Sequence, residues 1–299
     1  MLDFKIIDIS DKERICECLK KSDFQGCEYS FANNMAWRRL SNSKICFYKD
    51  FYISCAFDTD DDIPSFIFPS GEGDYREVID EMRKFSESMG KPLKISGVTE
   101  KGLEILKDIY GENSQAFEIH PERDGFDYIY NSSDLINLSG KKYHKKRNHL
   151  LKINEYDWEF LEMKESDFDE CIRFSTINYN IKKGIENFSS IAEQFAINTF
   201  FSYFSEFNLF GGVIRIDGYI KAFSIGEKLN SDTICVHIEK ADTSYNGIYP
   251  AINNEFSKRF AKDVKYVNRE EDMGIEGLRK SKLSYHPAYL LEKNTVIFR

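Results

Sequence analysis

The stretch that decides the fold is VKYVNREEDMGIEGLRKSKLSYHP, residues 264–287. Its first four residues, 264–267, form a short apolar run typical of a strand, and residues 274–283 have the spacing of a short helix. A second stretch, KPLKISGVTEKGLEIL at residues 91–106, shows the same strand-then-helix pattern roughly 170–175 residues earlier. A repeat at a near-fixed offset predicts one domain that is used twice.

The pattern of strands and helices is the same in the two halves. Each half reads as strand, two helices, three antiparallel strands, helix, strand, helix and strand. We therefore predict an α+β fold with two tandem domains, each a mixed, mostly antiparallel sheet flanked by helices. Residues 1–133 form the predicted first domain, residues 134–156 a basic connecting helix, and residues 157–299 a second domain that carries the active cleft.

Composition limits the class of protein. The 299 residues are 41% hydrophobic and 15% aromatic, which is typical of a globular chain with a large core. The net charge of −9 argues against indiscriminate binding to nucleic acid. No apolar run approaches the ~20 residues that span a bilayer, and the acidic N-terminus does not resemble a signal peptide. We expect a soluble, cytoplasmic protein without a transmembrane segment.

The cysteines argue against a disulfide framework and against a metal site. There are seven of them, and no two form a C-x-x-C pair. Most lie inside apolar stretches, which is typical of buried thiols in a reducing compartment. We predict no metal ligands and no permanently bound cofactor.

The helix predicted at 274–283 carries two cations beside its apolar stripe. Ile275 and Leu278 form the stripe, and a step of ~100° per residue places Arg279 and Lys282 next to it. These cations need either a protein carboxylate or an anionic ligand. We predict that they bind the anionic part of a substrate. The alternative is that they complement the helix dipole, with Asn268 and Glu271 as an ordinary capping box.

The residues around that helix complete the predicted substrate-binding set. Arg269 would anchor the neighbouring acidic cluster, and the carboxylates of that cluster would position a substrate amine. Two further candidates can equally be packing or capping residues. The cluster is Glu270, Glu271 and Asp272, and the further candidates are Tyr285 and Asn253.

The strand predicted at 233–240 offers a candidate base. Strict alternation places Cys235, His237 and Glu239 on one face, and Glu227 on the preceding strand can join them across the ladder. In acyl transfer the attacking amine must lose a proton, so we predict His237, Glu239 and Glu227 as catalytic residues. The alternative is a polar strand face on which His237 hydrogen-bonds within the sheet.

The connecting helix is strongly basic. If residues 141–152 are helical, five lysines and His149 occupy one arc of about 140°. Arg147 instead projects among apolar residues, where its guanidinium needs a carboxylate or phosphate partner. The arc can be a solvated helix face or a track for tRNA phosphates. Its lysines are Lys141, Lys142, Lys145, Lys146 and Lys152.

Three segments carry a family resemblance. LSGKKYHKKRNHLLKI at 138–153, HIEKADTSYNGIYPAINNEF at 237–256 and YVNREEDMGIEGLRKSKLSYHPAYLLEK at 266–293 resemble the family of the phosphatidylglycerol lysyltransferase C-terminal domain, the DUF2156 type. More distantly, the chain is similar to Fem-type aminoacyltransferases. The resemblance implies tandem GNAT domains and an aminoacyltransferase that moves a lysyl or alanyl group from charged tRNA to an amine or hydroxyl, on a small molecule or a lipid headgroup.

Two alternatives to that activity stay open. The first is a CoA-dependent GNAT N-acyltransferase that acts on a small amine, with acetyl-CoA or another acyl-CoA as donor. GNAT enzymes of this kind use a glycine-rich loop to bind pyrophosphate, but the corresponding residues 242–248 contain one glycine and no arginine. The second alternative is a GNAT pair that binds a ligand without catalysis. The oligomeric state is not predicted.

Overall fold

The computed structural model describes residues 2–112, 114–183 and 188–299, which fold into two compact units. Unit 1 comprises Met1–Asp127, Glu271–Gly274 and Leu291–Arg299, and unit 2 comprises Tyr128–Glu270 and Ile275–Leu290. Within the described part of the chain, no helix combines the length and the apolar character needed to cross a membrane.

Helices flank both sheets, and some are extended by short 3₁₀ turns. The helices are α1 (Lys12–Ser22), α2 (Phe31–Trp37), α3 (Tyr75–Ser88), α4 (Glu100–Tyr110), α5 (Ser132–Asn137), α6 (His144–Leu151), α7 (Phe168–Lys183), α8 (Phe188–Ser202), α9 (Ile248–Phe260) and α10 (Glu276–Leu283). The strands are β1 (Ser43–Tyr48), β2 (Phe51–Ala56), β3 (Ser65–Ile67), β4 (Ser70–Gly71), β5 (Lys94–Val98), β6 (Phe117–Pro121), β7 (Asp127–Asn131), β8 (Trp158–Glu162), β9 (Phe210–Ile216), β10 (Tyr219–Lys228), β11 (Thr233–Ala241), β12 (Tyr266–Asn268), β13 (Tyr289–Leu291) and β14 (Asn294–Phe298).

The two sheets have matching strand orders. In unit 1 the order is β1-β2-β3-β5-β14-β6, and β4 pairs with β2. In unit 2 the order is β8-β9-β10-β11-β12-β7-β13. Each sheet contains a parallel pair, β3 with β5 and β11 with β12, and the strands on either side of that pair are antiparallel to it. The α+β fold with two mixed sheets is therefore confirmed, and β5 and β12 come from the two repeated segments.

The halves of the chain exchange one strand. The last strand, β14, pairs with β5 and β6 in unit 1. The equivalent place beside β12 in unit 2 is taken by β7, from the first half of the chain. The units therefore differ from the predicted domains, because residues 128–133 lie in unit 2 and Leu291–Arg299 in unit 1. A boundary drawn along the sequence cannot represent this exchange.

Some predicted elements are shorter than expected. α10 begins at Glu276, with Ile275 as N-cap, and Asn268 accepts a hydrogen bond from the backbone of Glu270 instead of capping a helix. The alternative interpretation of Asn268 and Glu271 as a capping box is therefore wrong. Met273 and Gly274 have φ values of +50° and +71°, which a right-handed helix cannot include.

We expect the exchanged strand to contribute strongly to stability. Phe298 on β14 is 2% exposed and packs against Tyr110 and Phe117, with ring centroids 5.5 Å and 5.4 Å away. Phe298→Ala should lower the free energy of unfolding by about 3–5 kcal/mol, because it removes a buried ring and leaves a cavity. The half-buried neighbour Ile297 provides the control. Equal losses for Phe298→Ala and Ile297→Ala in urea unfolding would contradict this packing.

Candidate active site in unit 2

A β-bulge on β11 shapes the site. On the neighbouring strand β10, Ile225 pairs with Ile238 and Gly226 pairs with Val236. His237 is therefore the extra residue on β11. An extra residue interrupts the alternation of side chains and redirects the residues that follow it.

The bulge separates the residues that were predicted to share one face. Phe200 of α8 stacks on the His237 imidazole, with ring centroids 5.2 Å apart and planes at 13°. Glu239 instead lies toward α9, where Asn253 Nδ2 donates to Glu239 Oε2 over 3.2 Å. The prediction that Cys235, His237 and Glu239 share one face is wrong for Glu239. The sequence gives no direct signal of a bulge.

His237 lies between two carboxylates. Its Nδ1 is 2.8 Å from Glu270 Oε1, and its Nε2 is 2.9 Å from Glu227 Oε1. The side chain has no exposed surface. Burial lowers the pKa of His237, but Cys235, Glu227 and Glu270 outweigh burial and hold that pKa well above its ordinary value. The predicted contact with Glu227 across the ladder is confirmed.

This geometry does not favour His237 as the proton acceptor. Both ring nitrogens already face carboxylates, so neither is left to receive a proton from a substrate. Glu227 and Glu270 are both engaged with the ring, and each side chain is at most 18% exposed. These three residues therefore form a closed polar cluster beside the site.

The sheet opens between β11 and β12. The two parallel strands pair only from Thr233 with Tyr266 to Cys235 with Asn268, whereas β11 continues to Ala241. Beyond the last pair, the edge of β11 that faced β12 has no ladder partner in the described chain. We call this split between the strands the β11–β12 opening.

An ion pair occupies the β11–β12 opening. Arg269 Nη2 donates to Glu239 Oε1 over 2.8 Å, and the two side chains are 11% and 13% exposed. The Arg269 guanidinium also lies over the rings of Tyr285 and Tyr130, 5.0 Å and 5.7 Å from their centroids. The guanidinium is thus held by one carboxylate and two aromatic rings. Tyr130 was not predicted as a site residue, because β7 lies far from the site in sequence.

Two buried polar atoms in the β11–β12 opening have no hydrogen-bond partner within the described residues. They are Asn253 Oδ1 and Arg269 Nη1, and each belongs to a side chain that also contacts Glu239. Asn253 as a residue is only 2% exposed. Unpaired buried donors and acceptors are rare, because each costs roughly 1–3 kcal/mol. One acceptor and one donor therefore remain available to a ligand.

Lys146 also turns toward this opening. Its ammonium lies 3.7 Å from the centroid of the Tyr285 ring. Burial and the nearby positive charge of Arg269 lower the pKa of Lys146 to about 8, although Glu239 acts in the opposite direction. Tyr285 is 3% exposed. Lys146 therefore differs from the other lysines of the basic segment.

The other basic side chains of residues 141–152 lie outside this opening. Arg147 donates to the carbonyls of Leu138 and Gly140, so its partners are backbone oxygens and the predicted carboxylate or phosphate is not needed. Lys142 pairs with Asp134 over 3.2 Å. The exposed lysines of the segment are Lys141, Lys142, Lys145 and Lys152.

Lys282 stabilises the backbone of the site. It is 8% exposed, and its ammonium donates to the carbonyls of Arg269 and Glu270. Glu270 has a φ of +56°, a left-handed conformation that is costly for a side chain of this kind. The ammonium holds this turn in place, which argues against the predicted role of Lys282 as an anion ligand. Arg279 is half-buried on α10.

Two residues of the predicted acidic cluster, Glu271 and Asp272, belong to unit 1. Asp272 is fully buried and accepts from Arg123 Nη1 over 3.1 Å. Glu271 Oε2 lies 3.6 Å from the Cys27 thiol. Neither contact is to the residues of the β11–β12 opening, so their predicted role in positioning a substrate amine remains a prediction.

Unit 1 contains a second charged cluster, which the sequence did not indicate. Lys293 is 4% exposed and pairs with Glu28 over 2.6 Å and with Asp127 over 2.7 Å. Burial raises the pKa of Glu28 to about 7, although Lys293 opposes that shift. Cys27 lies beside these groups, 3.5 Å from the ammonium. The cluster joins the start of β7 to the residue before β14, where the exchanged strands begin.

The loop at residues 242–248, which corresponds to the pyrophosphate-binding loop of CoA-dependent GNAT enzymes, is covered by neighbouring backbone. Gly247 is the N-cap of α9 with a φ of +84°, and a Cβ added to it would lie 2.5 Å from the carbonyl oxygen of His149 and 2.8 Å from the nitrogen of Ile153. The backbone at the end of α6 therefore lies against the start of α9. A phosphate group bound at this helix N-terminus would need the space that the α6 backbone fills.

The duplicated mixed sheet, which in unit 2 opens between two parallel strands, is the fold of GNAT-like acyltransferases. The family profile described as phosphatidylglycerol lysyltransferase, C-terminal, matches residues 19–296, and the chain belongs to this family.

Two further proteins are similar to this chain over most or all of its length. An uncharacterized protein of Mycoplasmoides gallisepticum is 24% identical over 209 residues, which are 65% of this chain and 66% of that protein. A conserved protein of unknown function from Bacteroides thetaiotaomicron has a TM-score of 0.90 and 33% identity, with all of both chains covered.

More distant structures share the fold alone. L-PGS from Bacillus licheniformis has a TM-score of 0.65 and 15% identity, over 97% of this chain and 92% of that chain. FemX has a TM-score of 0.61 and 8% identity, over 98% and 96%.

A double-mutant cycle tests the ion pair. Glu239→Leu should lower the free energy of unfolding by about 3–5 kcal/mol, because it leaves the Arg269 guanidinium buried without its carboxylate. Adding Arg269→Met to Glu239→Leu should restore most of that loss, because no unpaired charge then remains. Denaturant unfolding measures both values. Strictly additive losses would show that the two side chains are not coupled.

The lowered pKa of Lys146 predicts a dependence of stability on pH. Between about pH 8 and the ordinary lysine pKa of 10.5, the unfolded chain binds more protons at this residue than the folded chain does. The free energy of unfolding should therefore rise with pH in this window, relative to Lys146→Met. Urea unfolding of both proteins at about pH 7.5 and about pH 9.5 measures the change. An unchanged difference between the two proteins would be inconsistent with a lowered pKa.

Proposed function

We propose that this protein is an aminoacyltransferase that takes its aminoacyl group from charged tRNA and transfers it to an amine or a hydroxyl. The observation that carries the proposal is the pair of unpartnered buried atoms in the β11–β12 opening, Asn253 Oδ1 and Arg269 Nη1. Asn253 Oδ1 lies on a side chain that contacts the Glu239 carboxylate, so it can accept a hydrogen bond from an ammonium group. Arg269 Nη1 can donate to a carbonyl oxygen. An aminoacyl ester carries both groups on adjacent carbon atoms.

Each residue of the opening has a role in this proposal. Glu239 and Asn253 Oδ1 accept hydrogen bonds from the α-ammonium of the aminoacyl group. Arg269 Nη1 donates to the ester carbonyl oxygen and stabilises the negative charge that develops there. The neighbouring tyrosine rings exclude water and fix the guanidinium.

The transfer step needs a proton acceptor, and Lys146 fits that role. The nitrogen or oxygen of the molecule that receives the aminoacyl group attacks the carbonyl carbon. The bond from that carbon to the ribose oxygen of tRNA then breaks. The proton of the attacking group passes to the neutral Lys146 amine and then to the leaving ribose oxygen. A pKa of about 8 leaves a useful neutral fraction of Lys146 near physiological pH.

Two features favour tRNA over CoA as the carrier. Gly247 and the backbone of residues 149–153 fill the place where a CoA pyrophosphate would lie. In addition, the exposed lysines of the basic segment offer charges for phosphate contacts on a chain that is otherwise acidic.

Equilibrium binding to charged and uncharged tRNA tests the proposal. Lysyl-tRNA or alanyl-tRNA should bind more tightly than its deacylated form, and acetyl-CoA should not compete. Asn253→Ala should reduce the preference for the charged form about tenfold, because one hydrogen bond to a charged group is lost. Deacylated tRNA should bind this variant as it binds the native chain.

The matched control is Lys280→Ala, which removes an exposed cation of α10. It should leave the preference for charged tRNA unchanged. Equal binding of charged and deacylated tRNA by the native chain would refute the proposed donor. Competition by acetyl-CoA would instead support CoA-dependent acylation.

A further inference from the structure

Three different metal-ligating groups meet next to the β11–β12 opening. The thiol of Cys235, one imidazole nitrogen of His237 and one carboxylate oxygen of Glu270 all lie within 4.8 Å of one another. Two of the separations are 2.8 Å, from His237 Nδ1 to Glu270 Oε1, and 3.8 Å, from Cys235 Sγ to the same oxygen. Cys235 has no exposed surface.

Three separate features of the fold bring these groups together. Cys235 and His237 are two residues apart on β11, and both side chains reach the same oxygen of Glu270. Glu270 follows the end of β12, where Cys235 pairs with Asn268. The left-handed φ of Glu270 and the ammonium of Lys282 on its carbonyl turn this carboxylate toward the histidine.

The separations fit a tetrahedral zinc ion after small movements. Zinc bonds to sulfur at about 2.3 Å, to nitrogen at about 2.0–2.1 Å and to oxygen at about 2.0–2.2 Å, so tetrahedral ligand atoms lie roughly 3.3–3.6 Å apart. The nitrogen–oxygen pair must widen by about half an ångström, and the sulfur–oxygen pair must close by less. Such movements are within reach of side-chain torsions.

The other nitrogen of the histidine is already held as in a metal site. Histidine ligands commonly donate their second ring N–H to a carboxylate, which fixes the tautomer and the ring orientation. Glu227 Oε1 lies 2.9 Å from His237 Nε2 and can accept that hydrogen bond, so a metal ion would take the place of the proton between Nδ1 and Glu270 Oε1. A thiolate and a carboxylate would also neutralise the charge of a divalent ion.

We propose that Cys235, His237 and Glu270 form a binding site for a divalent transition-metal ion of the zinc class, oriented by Glu227. Three protein ligands leave one tetrahedral position for water. The ion would tie β11 to the segment after β12, which carries Arg269 into the opening. This inference does not depend on the nature of the acyl donor.

The cysteine–carboxylate cluster of unit 1 is a useful contrast. Cys27, Glu28 and Asp127 also lie within 4.8 Å of one another. Their cation is already present, because the ammonium of Lys293 contacts all three. Cys27→Ser is therefore a matched control that removes a buried thiol from a similar acidic cluster.

Metal content and cobalt spectroscopy test the site on the full chain. Protein purified from zinc-supplemented culture should contain about one zinc per chain. Cobalt(II) added to the metal-free protein should produce a thiolate-to-cobalt charge-transfer band and the strong visible bands of a tetrahedral ion. Cys235→Ser should abolish the charge-transfer band, and Cys27→Ser should retain it. Glu227→Gln should keep the spectrum but weaken affinity by about 10–100-fold.

Several results would exclude the proposed metal site. Native protein with no zinc, and with no cobalt spectrum, excludes the site. A charge-transfer band that persists in Cys235→Ser, or disappears in Cys27→Ser, would show that the thiolate ligand is not Cys235. If Cys235→Ser does not fold, as judged by circular dichroism, Glu270→Gln replaces it and should weaken cobalt binding by at least tenfold. Unchanged cobalt affinity in Glu270→Gln would count against the proposal.

Discussion

The buried ion pair of Arg269 and Glu239 is the interaction on which the candidate site depends. A guanidinium and a carboxylate removed from water are stable only when they face each other. Their meeting requires that β11 and β12 separate, because a continued ladder would fill the space between them. It also requires the bulge at His237, which turns Glu239 toward α9 and Asn253. One extra residue in a strand therefore determines where the charges lie.

The polar cluster behind the ion pair keeps this geometry. His237 and its two carboxylates link β10, β11 and the turn after β12. Lys282 holds the carbonyls of Arg269 and Glu270 from the other side. Several residues that carry charge in this unit are therefore positioning residues. Arg269 Nη1 and Asn253 Oδ1 are the buried side-chain atoms of the opening that have unused hydrogen-bonding capacity within the described residues.

Much of the architecture could be predicted from the sequence because it rests on local periodicity. The repeated strand-and-helix segments correctly indicated a duplicated α+β fold, and alternation along β10 and β11 correctly brought Glu227 to His237. Features that depend on distant pairing could not be predicted. The exchange of β7 and β14, the bulge at His237 and the left-handed turn at Glu270 leave no periodic signal. The partners of Arg147 and Lys282 are backbone carbonyls, which sequence patterns do not identify.

The most direct measurement is a crystal structure with a stable aminoacyl ester analogue, such as a 3′-aminoacylamino-3′-deoxyadenosine. We expect the α-ammonium to lie within hydrogen-bond distance of Asn253 Oδ1 and Glu239, and the carbonyl oxygen to accept from Arg269 Nη1. The adenosine should extend toward the basic segment. An analogue bound elsewhere, with Asn253 and Arg269 still unpartnered, would contradict the central claim.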